Sequence, residues 1–193
     1  MELIGIFFIG CGLLVLAGVA KALRPDNTAR ALVLLVSGRV WRVPSFSIMR
    51  QTIRVGALLE AALGTCALLF PRPLTAALVA VSYTLFVCAV VYARRHEGPL
   101  STCGCFSRPD TPATRLHVVL NIAFVATATA VALQPPLFTG LLSLLTNQPW
   151  SGVPLLIVSG VGVWLSYLAL SPLAALEAAR LLARRPREEA LSA

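Results

Sequence analysis

The chain has 193 residues, 58% of them hydrophobic and 12% charged, with a formal net charge of +8. Soluble domains carry about 25% charged residues, so this composition excludes a water-facing globular surface. The basic residues flank apolar runs and are not interleaved with stacking aromatics, which excludes a nucleic-acid-binding domain. Period-2 alternation of the kind a transmembrane barrel needs is missing. The expected class is all-α: a polytopic membrane protein with a four-helix transmembrane bundle and a fifth, C-terminal transmembrane helix. Its first partner is the lipid bilayer, and a bilayer crossing takes about 20 mainly apolar residues.

The first apolar segment predicts a helix over about 2–23. Ala20-Lys21-Ala22 imitates a signal-peptide cleavage site, but no Lys or Arg precedes the apolar run, so a retained helix is expected. Arg24-Pro25-Asp26-Asn27-Thr28 breaks it, because Pro cannot continue a helix and Asp, Asn and Thr cap the next one. Residues 28–38 are too short to span and predict a helix lying on the membrane surface. A second spanning helix follows over 51–70. The Pro71-Arg72-Pro73 corner then makes its successor, 74–94, an antiparallel neighbour. A polar stretch, 95–114, leads to a fourth helix over 115–133, which Pro135-Pro136 ends. Residues 137–147 predict a short interfacial helix, and a fifth span starts near Gly152 and extends toward 174–185. The tail, 186–193, is polar. The organisation read from these segments is a four-helix unit over 1–133, an interfacial segment with a fifth helix over 134–185, and that tail.

Five crossings put three arginine-rich regions on one face: 21–54, 94–115 and the C-terminal end. That face holds 15 of the 16 basic residues, with Arg72 alone opposite. The positive-inside rule makes it cytoplasmic. The expected location is the cell inner (plasma) membrane, with the N-terminus outside and the C-terminus in the cytoplasm.

Five cysteines are present. Cys11, Cys66 and Cys88 lie singly within apolar helices and are expected to be small buried hydrophobes. Cys103-Gly104-Cys105 is different, because it lies in the polar stretch 95–114. Thiols one residue apart are within disulfide reach, Gly104 permits the backbone a tight ring needs, and a strained ring is readily reduced. Arg94, Arg95 and Arg108 would favour the thiolates. A redox pair, a soft-metal site for ions such as mercury or copper, and two incidental loop cysteines all remain open. His117 and Asn121, four apart, share one face of the fourth helix. They suit proton transfer and carbonyl orientation, or interfacial placement and helix packing. Glu60 is an intramembrane carboxylate, which normally faces a partner or a wet cavity. Lys21 and Arg54 are the candidate partners, in a structural ion pair or in proton or quinone handling.

Ala17-Gly18-Val19-Ala20-Lys21, Glu60 and the Cys103-Gly104-Cys105-Phe106 loop together resemble the MauE-type membrane proteins, related to the DoxX group. The resemblance covers about 1–133. Where the family more often has Gly after Cys-x-Cys-Phe, this chain has Ser107. The resemblance implies a membrane thiol–disulfide redox protein that supports maturation of a disulfide-rich partner of the methylamine dehydrogenase type. It implies a thioredoxin-like protein or a protein thiol as partner, and a quinone as electron acceptor. On this reading Cys103 and Cys105 cycle between dithiol and disulfide, His117 assists proton transfer, and Asn121, Glu60 and Lys21 shape a polar cofactor pocket. A soft-metal carrier and a non-catalytic membrane assembly subunit are the rival functions. One tension remains: a helper of exported proteins would show its cysteines outside, whereas the charge count puts Cys103 and Cys105 inside.

Overall fold

The computed structural model describes residues 2–26, 28–30, 33, 45–96, 115–133, 146 and 149–170. Within them the chain forms five long helices: α1 (Glu2–Leu23), α2 (Phe46–Leu69), α3 (Pro73–His96), α4 (Arg115–Leu133) and α5 (Pro149–Leu170). There is no strand among the described residues. Each helix contains a stretch long and apolar enough to cross a membrane. The chain is therefore a multi-pass, all-α membrane protein. α2 and α5 start earlier than the apolar runs suggested, at Phe46 and Pro149, because hydropathy marks the lipid-immersed part of a helix and not its wetter ends. Of the expected surface helix, Thr28, Ala29, Arg30 and Val33 are helical and the remainder lies outside the described residues. The interfacial helix over 137–147 lies outside them too, apart from Thr146, as do the continuation of α5 and the tail.

α1 is the central helix. It packs most extensively on α2 and also touches α5 and α4, while α3 packs chiefly on α4. Lipid supplies no hydrophobic drive for helix association, so close backbone approach and dispersion must hold the bundle. Two glycines provide that approach. A methyl group at Gly18 would sit 2.6 Å from the Ala57 carbonyl oxygen, and one at Gly64 would sit 2.8 Å from the Cys11 carbonyl oxygen. α1 and α2 thus cross nearly backbone to backbone. Gly12 faces Val163 of α5 and Gly162 faces Ile9 of α1, a reciprocal knob-and-notch contact. The buried core runs through Phe7, Phe8, Leu14, Val79, Tyr83 and Phe124. The outer faces carry Leu59, Leu85, Val119, Ile157 and Leu165, all exposed as lipid-facing side chains should be.

The α2–α3 corner is tight for a local reason. The Phe70 amide donates to Cys66 and the Arg72 amide donates to the Thr75 hydroxyl at 3.0 Å, which caps the start of α3. Pro73 fits the first position of α3, where no amide hydrogen is needed. In α5, Pro154 stands in the second turn, close enough to the helix start for the missing amide to interrupt only the end of the ladder.

Candidate functional site

The C-terminal ends of α1, α3 and α5 and the N-terminal end of α4 meet at one end of the bundle. Lys21 lies in the last turn of α1, and its ammonium reaches the Glu60 carboxylate of α2 at 2.6 Å. The same ammonium lies 4.7 Å from the centre of the Phe86 ring on α3. A buried cation is thereby satisfied by an anion and by an aromatic face. Lys21 has a side-chain exposure of 10% and Glu60 of 24%, so the pair is largely withdrawn from the surroundings. Of the two partners the sequence offered for Glu60, Lys21 is the one used. Arg54 instead donates to the Ala22 carbonyl at 3.2 Å, tying α2 to the end of α1.

His117 and Asn121 are one turn apart on α4 and both are buried, at 1% and 7% exposure. The His117 imidazole hydrogen-bonds the backbone of Leu170 at the end of α5. This contact closes the bundle where α4 begins and α5 ends. Lys21, His117 and Asn121 line one cavity with Leu13, Leu14, Ala17, Tyr83, Phe86, Phe124 and Leu170. Four of the six residues expected at a site (Lys21, Glu60, His117, Asn121) are thus gathered at one end: three line the cavity and Glu60 joins through its bond to Lys21. Cys103 and Cys105 lie outside the described residues. The segment that carries them, 97–114, joins the end of α3 to the start of α4 at this same end.

Sequence reasoning missed Tyr83, Phe86, Phe124 and Leu170. Tyr83 carried a signal: a tyrosine deep in an apolar helix needs a partner for its hydroxyl. It finds one in the Gly10 carbonyl of α1, at 2.5 Å. Its ring stacks at 5.0 Å from Phe124 and meets Phe86 edge-on at 5.8 Å. Phe86 and Phe124 looked like any lipid-facing aromatic in sequence. The lone helical cysteines need a correction. Cys11 is fully buried, as expected, but Cys66 and Cys88 are exposed on the outer faces of α2 and α3. An apolar helix in lipid can turn a small thiol outward at no hydrophobic cost, so apolar surroundings in sequence do not imply burial in the bundle.

The cavity is about 40 Å³. That admits a water molecule or a transferred proton's carrier, since one water needs roughly 10–15 Å³ measured this way. The arrangement sets an ammonium, an imidazole and an amide around this space, with the Glu60 carboxylate joined to the ammonium. No curated protein and no solved structure matches the chain significantly. The family model described as methylamine utilisation protein MauE matches residues 2–134, and the chain, a multi-pass helical membrane protein, belongs to that family.

Proposed function

We propose that the protein is a membrane thiol–disulfide exchanger serving protein maturation in methylamine utilisation, with Cys103 and Cys105 as the exchanging pair. The observation that carries the reading is the buried Lys21–Glu60, His117 and Asn121 cluster at the end of the bundle from which 97–114 departs. Buried ionisable groups inside a membrane are expensive and are normally functional. Exchange at an adjacent thiol pair needs a nearby proton donor and acceptor.

The step is balanced between proteins. A thiolate of a partner dithiol, thioredoxin-like or itself a maturation substrate, attacks the Cys103–Cys105 disulfide. A mixed disulfide forms and one cysteine of the pair leaves as a thiolate, which takes a proton. The partner's second thiol then displaces the remaining cysteine. The partner gains a disulfide, and Cys103 and Cys105 gain two electrons and two protons. The reverse sequence passes them on to a second protein disulfide. His117 supplies and receives the protons, and Asn121 and Lys21–Glu60 keep its cavity polar. A membrane quinone is the alternative acceptor of these two electrons and two protons. The excess of Lys and Arg at this end of the bundle supports a cytoplasmic position for it, in the inner membrane, by the positive-inside rule.

The test is exchange by the purified full chain with a thioredoxin-like dithiol, followed by thiol-trapping mass spectrometry. Cys103→Ser and Cys105→Ser should each reduce turnover to background, and one of them, given the partner in its disulfide form, should attack it and accumulate the mixed disulfide. Undiminished exchange in both variants would remove the pair from the mechanism.

A further inference from the structure

On the outer side of the same bundle end, a groove of about 410 Å³ runs between the end of α3 and the start of α4. Its described lining is Val91, Arg94, Arg95, Arg115, Val118 and Val119. The charged and apolar residues are segregated by depth. Arg94 and Arg95 follow the membrane-spanning part of α3, which ends at Tyr92, and Arg115 opens the span of α4. Val91, Val118 and Val119 lie about one turn deeper, within those spans. Among the described residues the two ion pairs engage Lys21 and Arg50 and none of these three arginines.

α4 has no acidic residue in its first turn, so the positive end of its dipole adds to the guanidinium groups. Three like charges and a helix N-terminus in one groove repel one another unless an anion joins them. Arginine pairs readily with phosphate oxygens. An anion with a long apolar appendage matches both levels of the groove.

We propose that Arg94, Arg95 and Arg115 form a binding site for the phosphate headgroup of an anionic membrane phospholipid, with its acyl chains descending along Val91, Val118 and Val119. Soluble phosphate would use the arginines but gain nothing from the valines. The lipid would also pin the ends of α3 and α4 that anchor 97–114, and this site stands whether or not the exchange chemistry does.

The full chain, reconstituted in nanodiscs of phosphatidylcholine with or without phosphatidylglycerol, would be examined by native mass spectrometry and by the headgroup classes retained after delipidation. Phosphatidylglycerol should be retained in preference to phosphatidylcholine. The variant R94Q/R95Q/R115Q should lose that preference by on the order of a hundredfold, since each interfacial charge is worth about fivefold. The variant R24Q/R30Q/R54Q removes as many charges from the same end and should keep it. Both variants are first checked for wild-type helicity and a single monodisperse species. Equal loss in the two variants would mean diffuse surface attraction and would overturn the site. No headgroup preference in the wild type would overturn it, as would displacement of the lipid by equimolar inorganic phosphate.

Discussion

Lys21 is held on two sides, by the Glu60 carboxylate and by the face of Phe86. These two contacts have different consequences for its removal. Lys21→Met leaves a carboxylate in a membrane span without its cation, whereas Glu60→Gln leaves the ammonium a neutral oxygen and the ring. Breaking a buried pair from one side costs about 3–5 kcal/mol. The partial exposure of Glu60 lowers that to about 2–3 kcal/mol for Lys21→Met and about 1–2 kcal/mol for Glu60→Gln. The double variant should be more stable than the sum of the two losses predicts, with a coupling of about 1–3 kcal/mol. Denaturant unfolding of the four proteins in one detergent measures this, and additive losses would mean that the pair contributes no mutual stabilisation. The pair was legible in sequence because a lone acidic residue within a span demands a partner and few cations are near. The His117–Leu170 contact was not legible: it joins the start of α4 to a backbone group at the far end of α5, and no local pattern encodes that meeting.

At the scale of helices, the sequence shows where chains cross the membrane but not how they face one another. Apolar runs and Pro corners located all five helices, since both signals are local. Packing in lipid depends instead on which small residues meet, and glycines in an apolar run look alike until the partner helix is known. Four of them separate into two groups. Gly18 and Gly64 lie at the α1–α2 crossing with main-chain atoms inside 3.0 Å of an added methyl group, while Gly56 and Gly160 have nothing within 4 Å. Gly18→Val and Gly64→Val should each force the helices apart and cost about 1–3 kcal/mol or more. Gly56→Ala and Gly160→Ala should be neutral or stabilising by up to about 1 kcal/mol through helix propensity. Denaturant unfolding in one detergent gives the four values, and a neutral Gly18→Val would mean that α1 and α2 do not cross as closely as described. Gly18 also lies one turn from Lys21, so a separated crossing should loosen the ion pair as well.

For the whole molecule, connectivity and charge lead to a prediction about sidedness. With five crossings, the ends of α1, α3 and α5 and the starts of α2 and α4 share one side, and the closure of α5 against His117 fits that count. Among the described residues, every Lys and Arg except Arg72 lies at that side. If its cationic loops are retained in the cytoplasm, as the positive-inside rule expects, the N-terminus lies outside. Cys103 and Cys105 should then resist a membrane-impermeant maleimide applied to intact cells and react once the membrane is opened in the presence of a reductant. A cysteine introduced beside Arg72 should do the reverse and react from outside. Cys66 and Cys88 face lipid, so labelling is read by mass spectrometry at each site, or in a variant with both replaced by Ala. Reaction of Cys103 and Cys105 from outside would reverse the orientation and bring the exchange into direct contact with exported proteins. Protection from outside would instead require a cytoplasmic thiol partner. The exchange would then run on the inner side, at the end of the bundle that holds the Lys21–Glu60 and His117 cluster.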